Sequence, residues 1–375
     1  MSDTQAKPTA RHLYIHVPFC ARRCSYCDFS IAVRSVTPVG AFVDALGLEL
    51  HCSNADIGEL DTIYLGGGTP SRLGRGIGDV LALVRGVALV SDDAEITIEA
   101  NPDDVTPEAA MAWVQAGVNR VSLGAQSFDP QVLAWMHRTH SADQIGVAVG
   151  TIRDAGIANL SLDLIFSLPE ALNRDWNADM DRALELSPDH VSLYGLTVEP
   201  HTPLGRWASR GDAIEAPEER YETEFLAAHE RFRAAGFDHY EVSNFARPGR
   251  RSRHNSSYWT GVPYAALGPS AHSFDGKVRR WNVPAYAEWE RLLRAGQPVM
   301  GGSEVLTEAN REAERVYLGL RTTDGLRATD AELRLARPWT EMGWAGIFGQ
   351  TIVLSATGML RLDALAASLT LAGSR

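Results

Sequence analysis

Cysteine is scarce in this sequence, which has four cysteines among 375 residues. So few thiols in so long a chain do not form the disulfide framework that is typical of small secreted proteins. The first residues, MSDTQAKPTARH, also lack the apolar core of a signal peptide. We therefore expect a cytoplasmic protein whose thiols stay reduced and are kept for a metal or for catalysis. Cys52 stands apart at the end of a predicted helix and is interpreted as an ordinary, half-buried thiol.

Excess positive charge and long apolar runs are lacking as well. The formal net charge is −12 at pH 7, and acidic and basic residues are mixed along the whole chain. Because no basic stripe is available to bind phosphates, nucleic acid is excluded from the predicted partners. The apolar run VLALVRGVALV is too short to span a membrane and contains Arg85, so the sequence predicts a soluble protein.

Regular strand and helix patterns fill the first half of the chain. Apolar, β-branched runs alternate with amphipathic segments at a period of about 30 residues, as in βα units. The runs that predict strands are HLYIHVPF, DTIYLGGGTP, EITIEANP, RVSLGAQS, NLSLDLIFSLP and HVSLYGLTVEP. The segments that predict helices include FVDALGLELH, PEAAMAWVQAG, DQIGVAVGTIRDAG and DWNADMDRALELS. Six such units in series predict a parallel sheet, and their period favours a partial, TIM-like (β/α)6 barrel over an open doubly wound sheet.

The pattern changes near residue 200, which sets the predicted division of the chain. A long helix is predicted around PEERYETEFLAAHERFRAAG, followed by a segment rich in Tyr, His, Asn and Trp and by helices from about Thr307. We predict the barrel over residues 1–240, a connecting region with the RHNSSYW segment over 241–300, and a smaller, mainly helical C-terminal domain over 301–375.

Glycines and polar side chains stand where the predicted strands end. They are the GGGTP segment after the second strand, Glu99 and Asn101 at the end of the third, Gln126 and Ser127 at the end of the fourth, and Asp163 in the fifth. The carboxyl ends of parallel strands meet at one edge of the sheet, and a βα barrel places its active site there. The sequence therefore predicts a single site that is assembled from scattered segments.

Three of the four cysteines, Cys20, Cys24 and Cys27, form CxxxCxxC in the loop after the first predicted strand. Four thiolates would complete a tetrahedral zinc site or bind every iron of a cubane cluster, whereas three leave one position open. The spacing suits a [4Fe–4S] cluster with one iron free for a ligand that is not protein. Two alternatives stay open, a zinc site completed by His16 or His51 and a chance grouping of structural thiols.

The CxxxCxxC motif, followed by an apolar strand that ends in GGGTP, resembles the radical S-adenosylmethionine (SAM) superfamily over nearly the whole chain. The resemblance implies a radical SAM barrel, in which the free iron of a [4Fe–4S] cluster holds SAM by its amino and carboxylate groups. In that family an electron from the cluster breaks the sulfonium bond and yields a 5′-deoxyadenosyl radical. The longer set YIHVPFCxxxCxYCDF, GGGTPS, EANP, GAQSF, HRTH, DLIFSLP, YEVSNFA, HNSSYW and LGPSAHS is similar to the oxygen-independent coproporphyrinogen III oxidase group.

The resemblance also implies which residues bind the cofactors. Besides the three cluster cysteines, it assigns to SAM the residues Tyr14, Gly67, Gly68, Thr69, Glu99, Gln126, Arg138, Asp163 and Thr197. The glycines would let the backbone approach the amino group, and Glu99 would hold a ribose or an ammonium group. Gln126, Arg138 and Asp163 would surround this SAM or a second one. Taken singly, GGGTP also fits a plain turn, Asp163 a strand-end cap and Arg138 a surface charge.

Two departures set the chain apart from the decarboxylating oxidases of that group. Those enzymes carry a further cysteine two places after the third, where this chain has Phe29, and a long segment before the cluster, whereas here the first cluster cysteine is Cys20. The chain has instead RHNSSYW, which resembles the HNxxYW motif of the haem-chaperone members of the group. That likeness implies haem bound by His254, with Tyr258 and Trp259 against the macrocycle. The alternative is that His254 is a hydrogen-bonded core residue.

Two smaller departures concern the shape of loops. His137, before Arg138, and Ser167, before Leu168 and Pro169, stand where the resemblance leads us to expect glycine. Because glycine adopts backbone conformations that other residues avoid, both substitutions put the local loop shape in doubt.

Two functions follow from the sequence. The first is a haem chaperone that carries the cluster and SAM, binds haem and delivers it to haem-requiring proteins such as those of respiration. The second is an enzyme that uses the 5′-deoxyadenosyl radical to abstract hydrogen from a porphyrinogen, as a coproporphyrinogen III oxidase does. No motif identifies the haem-accepting proteins, the oligomeric state, a peripheral contact with a membrane or the number of SAM molecules.

Overall fold

A computed structural model of the chain describes residues 9–52 and 57–373, with the backbone alone for 371–373. The strands are β1 (Ala10–Val17), β2 (Phe19–Cys20), β3 (Ala32–Val33), β4 (Ile57–Gly67), β5 (Val90–Ala100), β6 (Arg120–Gln126), β7 (Asn159–Phe166), β8 (His190–Gly195), β9 (Asp238–Glu241), β10 (Asn244–Ala246), β11 (Ala265–Leu267), β12 (His272–Phe274), β13 (Val278–Asn282), β14 (Met300–Val305), β15 (Leu326–Arg327), β16 (Ala345–Phe348) and β17 (Thr351–Leu354). The helices are α1 (Val39–Cys52), α2 (Gly76–Val87), α3 (Pro107–Gln115), α4 (Pro130–Trp135), α5 (Ala142–Asp154), α6 (Trp176–Glu185), α7 (Pro203–Ser209), α8 (Glu218–Ala234), α9 (Arg253–Trp259), α10 (Tyr286–Arg294), α11 (Glu308–Arg321), α12 (Asp330–Glu341), α13 (Ala356–Met359) and α14 (Leu362–Gly373). None of the helices in these ranges is both long and apolar enough to cross a membrane.

The central feature is a nine-stranded sheet in the order β11-β1-β4-β5-β6-β7-β8-β10-β9. Strands β1 and β4 to β8 run parallel to one another and are the six strands predicted from the sequence. The four predicted helices lie in α1, α3, α5 and α6, each of which connects successive parallel strands. In the described part of the chain β11 and β9 remain at the two edges, so the sheet does not close into a complete barrel.

Burial explains why these segments form strands. All residues of β6 except Gln126 are buried, and β4 is buried continuously from Thr62 to Gly67. Near-continuous apolar strands of this kind are typical of parallel sheets that are covered on both faces. Two of the connecting helices end at a glycine, since Gly117 after α3 and Gly156 after α5 have φ values of +93° and +99°.

Segments after β8 extend the sheet at both edges. Strand β10 pairs antiparallel with β8 and β9, and β11 pairs parallel with β1. The strands β12, β13 and β14 form a separate three-stranded sheet.

The C-terminal region is mainly helical, as predicted, and α11 begins directly after Thr307. It also contains a small sheet in the order β15-β17-β16, which the sequence did not indicate. The division into units at residues 240 and 300 stays a prediction.

The buried carboxylate of Glu49 joins the barrel to the region around β11. It lies on α1 and accepts hydrogen bonds from the backbone nitrogen of Gly268 at 2.8 Å, from Asn282 Nδ2 at 2.6 Å and from Trp289 Nε1 at 3.2 Å. Burial raises the pKa of Glu49 to about 7, although these three donors oppose the rise. The contacts hold the connecting region against the first helix of the barrel.

The two loops that lack an expected glycine keep a glycine-like backbone. His137 and Ser167 have φ values of +60° and +59°, in the left-handed region. Other residues adopt this region at a cost of roughly 1–2 kcal/mol relative to glycine. At Ser167 a tertiary contact fixes the conformation, because its backbone nitrogen donates to Glu224 Oε2 at 2.7 Å. The loop shape is therefore retained in spite of the substitution.

We predict that Ser167→Gly raises the free energy of unfolding by up to about 1 kcal/mol, since it relieves the left-handed strain at some cost in chain entropy. The backbone hydrogen bond to Glu224 remains available in this variant. Urea denaturation of the two proteins would measure the difference. Ala155→Gly is the matched control, because Ala155 has φ −70° and no strain to relieve, so it should destabilise by about 0.5–1 kcal/mol. Equal destabilisation by both substitutions would contradict the prediction.

Candidate functional site

The carboxyl ends of the parallel strands surround a cavity of about 470 Å³, which we call the cysteine cavity. Gly67 ends β4, Gln126 ends β6 and Gly195 ends β8, while Glu99 lies near the end of β5 and Asp163 lies within β7. All five residues line the cavity. Because successive strands contribute from the same end, the sheet curves around this space, as a partial barrel does.

Three free thiols line the same cavity. Cys20 ends β2, and Cys24 and Cys27 follow in the next loop. Thr69 Oγ1 donates to Cys20 Sγ at 3.4 Å, and Arg138 Nη1 donates to Cys24 Sγ at 3.3 Å. Burial raises the pKa of the Cys20 thiol, and it raises that of Cys27 to about 11. The Cys20 and Cys27 thiols therefore carry protons until a metal displaces them.

The three thiols that line the cysteine cavity suit an iron–sulfur cluster. Among the described residues, no group of three or more His, Cys, Asp or Glu side chains is placed to hold one ion. His16 Nε2 lies 3.0 Å from the carbonyl oxygen of Ser30, and His51 Nδ1 lies 2.7 Å from that of Gly47 on α1. Neither histidine lines the cysteine cavity, and neither does the exposed Cys52. Three thiols spread around one cavity suit the larger body of a cluster.

The glycines at the end of β4 are required by packing within the chain. A Cβ atom on Gly67, which has φ +115°, would lie 2.7 Å from the imidazole ring of His16. A Cβ atom on Gly68 would lie 2.8 Å from the carbonyl group of Pro18 and 3.0 Å from Cys20 Sγ. Any side chain there would displace the cysteine loop. The GGGTP segment therefore has a structural role besides the predicted close approach to a ligand.

Glu99 lies between the glycines and a tyrosine. Its Oε1 accepts a hydrogen bond from the Tyr64 hydroxyl at 2.8 Å, and its Oε2 accepts one from the Gly67 nitrogen at 3.0 Å. Burial raises the pKa of Glu99 to about 7, the Tyr64 hydrogen bond lowers it, and the negative charge of Asp163 raises it further. The carboxyl group thus changes charge near neutral pH, and it can hold a cation once it is ionised.

Arg138 supplies positive charge beside the cysteines. Its Nη2 donates to Asn101 Oδ1 at 2.6 Å and to the carbonyl oxygen of Gly124 at 3.0 Å, while Nη1 reaches Cys24. These contacts place a guanidinium group next to a thiol that must be ionised to bind a metal. The interpretation of Arg138 as a surface charge does not describe its position.

Most of the residues that the sequence assigned to SAM meet in this cavity. They are Gly67, Gly68, Thr69, Glu99, Gln126, Arg138, Asp163 and Thr197. Tyr14 lines a neighbouring cavity instead, with its hydroxyl 3.2 Å from His16 Nδ1. The binding roles of all these residues stay predictions. Sequence reasoning missed Tyr26 and Tyr194, which also line the cavity, and Tyr64, whose position two residues before Gly66 on β4 could have indicated a shared face of the sheet.

A second cavity of about 790 Å³, which we call the aromatic cavity, adjoins the first. Its lining includes the aromatic residues Tyr14, Tyr258, Trp259, Tyr264, Phe274 and Tyr317, together with His16 and His272. Asp28, Phe29, Gly67 and Glu99 line both cavities, so the two spaces share a wall. Phe29, which stands at the position of the oxidases' further cysteine, is 57% exposed within this wall.

His254 is buried behind the aromatic cavity and lines neither space. Its Nδ1 lies 2.7 Å from Thr62 Oγ1, its Nε2 lies 2.9 Å from the Tyr258 hydroxyl, and its backbone nitrogen donates to Glu95 at 3.0 Å. Burial lowers the pKa of His254 to about 3, so the imidazole is neutral at physiological pH. Both ring nitrogens are engaged in hydrogen bonds, and the role of His254 as an iron ligand stays a prediction.

We predict that Cys24→Ser abolishes cluster incorporation and that Cys52→Ser preserves it, because only Cys20, Cys24 and Cys27 share the cavity. Iron and acid-labile sulfide counts after anaerobic reconstitution would measure this. Cys52→Ser is a matched control that also removes one thiol. Loss of iron and sulfide from the Cys52 variant would show that the ligand set is different.

Comparison with known proteins agrees with this geometry. The profile of the radical SAM superfamily matches residues 14–183. The chain is 39% identical over 338 residues to the haem chaperone HemW of Synechocystis sp., which covers 87% of this chain and 81% of that protein. It is 36% identical over 367 residues to the haem chaperone HemW of Mycobacterium tuberculosis, which covers 95% of this chain and 94% of that protein.

A solved structure extends the likeness to the whole fold. Coproporphyrinogen III oxidase (HemN) from Escherichia coli, a radical SAM enzyme, superposes with a TM-score of 0.82 at 21% identity, and the match covers 98% of this chain and 91% of that one. This match confirms the predicted fold class, a partial barrel with a smaller, mainly helical C-terminal region. The chain therefore belongs to the radical SAM superfamily and, within it, to the family of the haem chaperone HemW.

Proposed function

We propose that this chain is a haem chaperone that binds haem and delivers it to haem-requiring proteins, and that it carries a [4Fe–4S] cluster and SAM. The observation that carries the proposal is the pair of adjoining cavities, one lined by three thiols and strand-end polar groups and the other lined by aromatic side chains. The family relationship supports it, since the two relatives that are 39% and 36% identical and cover 87% and 95% of the chain are haem chaperones.

In this proposal the cysteine cavity holds the cluster and SAM. Cys20, Cys24 and Cys27 bind the cluster, which supplies one-electron chemistry when it is bound. Arg138 donates a hydrogen bond to the sulfur of Cys24 at 3.3 Å and places a positive charge beside the cluster ligands. Glu99, when ionised, attracts the positively charged groups of SAM, and Asp163 is held in place by the Ser122 hydroxyl at 2.9 Å.

The aromatic cavity is the proposed place for haem. Tyr258 and Trp259 of the HNSSYW motif line it, and they offer ring faces and edges to a flat apolar ligand. His254, from the same motif, was predicted to bind iron. Iron could reach His254 only after one of its hydrogen bonds, to Thr62 or to Tyr258, is broken.

An oxidase is the second candidate function. It is favoured by the shared wall, since a porphyrinogen in the aromatic cavity would lie next to the cavity proposed for SAM. Against it stands Phe29, which replaces the further cysteine expected in those enzymes. The side chain is apolar and cannot bind a metal or take part in proton transfer.

One pair of measurements separates the two functions. We expect the reconstituted chain to bind haemin with about one equivalent at saturation and to leave coproporphyrinogen III unchanged in the presence of SAM and a reductant without oxygen. Absorbance titration and product analysis on the same preparation would measure both. Formation of protoporphyrinogen would establish the oxidase, and absence of haem binding would overturn the chaperone proposal.

We predict that the affinity for SAM rises between about pH 6 and about pH 8. Glu99 has a pKa raised to about 7, so it is neutral below that value and ionised above it, where it attracts a cationic ligand. In Glu99→Gln the affinity at the higher pH should fall by roughly ten-fold or more, which corresponds to the loss of one charge-assisted hydrogen bond.

The pH dependence distinguishes this role from a structural one. Gln keeps the size of the side chain, and calorimetry at both pH values would show whether the slope is lost. An equally steep pH dependence in Glu99→Gln, with the iron content unchanged, would assign the titration to another group. Loss of iron in this variant would show instead that Glu99 supports the cysteine loop.

A further inference from the structure

The aromatic cavity has the size and lining of a site for a flat, apolar ligand. Its volume of about 790 Å³ lies within the range of roughly 300–1,000 Å³ that is common for cofactor sites. Tyr258 and Tyr264 meet edge to face with ring centroids 4.8 Å apart, and Tyr264 lies 6.2 Å from Phe274. The aromatic rings that line the cavity therefore pack against one another without a ligand.

The histidines around this cavity differ in whether their ring nitrogens already have hydrogen-bond partners. His16 is engaged at both ring nitrogens, with the Tyr14 hydroxyl and the Ser30 carbonyl group. His254 is engaged at both as well, and it is buried. His272 is exposed at the start of β12, and in the described part of the chain neither of its ring nitrogens has a hydrogen-bond partner.

The ring of His272 is held in position without those nitrogens. It stacks on the indole of Trp281 in the neighbouring strand β13, with ring centroids 5.8 Å apart and an interplanar angle of 23°. Such stacking limits the rotation of the imidazole but leaves its lone pair available. A neutral imidazole is a common ligand of haem iron.

Other side chains that line this cavity are poorer ligands for iron. Burial raises the pKa values of Tyr14, Tyr258 and Tyr264, so these phenols keep their protons at neutral pH. Burial lowers the pKa of His272, and the nearby charge of Arg279 lowers it further, so the imidazole is neutral under the same conditions. The described residues that line the cavity include no cysteine.

We propose that His272 binds the iron when haem occupies the aromatic cavity, and that His254 is a positioning residue that supports the cavity wall through Tyr258. The inference rests on the proposed haem function and adds to it the side chain that contacts the metal. It explains the HNSSYW motif as part of the wall, since Tyr258 and Trp259 line the cavity and His254 stands behind them.

Polar groups in the same lining suit the carboxylates of a haem. The Trp259 Nε1 atom is buried and has no hydrogen-bond partner among the described residues, and an unpaired buried donor is costly. Arg279 pairs with Glu314 at 2.9 Å and is partly exposed, so a ligand carboxylate can compete for its guanidinium group. Both residues line the aromatic cavity.

The test is a haemin titration of the full, cluster-reconstituted chain, followed through the Soret band. The variants are His272→Ala, His254→Ala and Tyr258→Phe, with His201→Ala as the control, since His201 is an exposed histidine that lines neither cavity. Tyr258→Phe removes the hydrogen bond to His254 but keeps the ring. Thermal unfolding and iron content of each variant are measured in parallel.

We expect His272→Ala to lower haem affinity by at least about ten-fold, because even the loss of a residue that only supports a metal ligand has an effect of about this size. The variant should also lose the imidazole-ligated Soret signature. Added free imidazole should restore that signature. His254→Ala and Tyr258→Phe should weaken haem binding by factors similar to each other, because both remove the hydrogen bond between these residues, and both should keep the signature. His201→Ala should match the parent.

Two results would overturn the inference. One is an unchanged spectrum and affinity in His272→Ala. The other is loss of the signature in His254→Ala but not in Tyr258→Phe, which would make His254 the ligand. A parent chain that binds no haem would overturn the proposed function itself, and the inference with it. Failure of the proposed function would therefore be seen in the parent chain, and failure of the ligand assignment would be seen in the variants.

Discussion

No side chain fits on the glycines at the end of β4, and most of the site depends on that constraint. A Cβ on Gly66 would press on Tyr64, Tyr14 and Glu99, all within 3.1 Å. The next two glycines pack in the same way against the His16 ring and against the loop that begins with Cys20. Bare backbone at this point brings the cysteine loop, the carboxylate and the aromatic wall within contact distance of one another.

A layer of uncharged polar rings lies behind the aromatic cavity and contacts Glu99. Tyr64 donates to Glu99 and stacks on His254 with ring centroids 5.0 Å apart, and His254 in turn contacts the Tyr258 hydroxyl. Burial raises the pKa values of both tyrosines and lowers that of His254, so the layer is neutral near pH 7. A charged side chain in this layer would need a partner that the aromatic neighbours do not supply.

The sequence predicted the barrel well because its signals are local and periodic. The parallel strands contain buried apolar runs such as RVSLGAQ, in which every residue but the last is buried, and the strand-end residues stand next to these runs in the chain. The aromatic cavity was beyond such reasoning, because it forms where distant segments meet, as Tyr14 of β1 and Tyr258 of α9 do in its lining. The small sheet β15-β17-β16 was missed since strands of two to four residues carry too little pattern.

The loops at His137 and Ser167 show a different limit of structure prediction from the sequence. The absent glycines put the loop shape in doubt, yet both residues adopt the left-handed backbone. At Ser167 the hydrogen bond to Glu224, 57 residues away, holds the conformation. The local backbone preference of Ser167 is thus overridden by a tertiary contact that the neighbouring sequence does not indicate.

The residues shared by the two cavities have a thermodynamic consequence. Asp28, Phe29, Gly67 and Glu99 border both spaces, so a ligand that moves or neutralises any of them changes the free energy of filling the other space. Linkage requires the change to be reciprocal, with the same factor in both directions. Whatever a ligand in the cysteine cavity does to the affinity of the aromatic cavity for its own ligand, that second ligand does to the affinity of the cysteine cavity in equal measure.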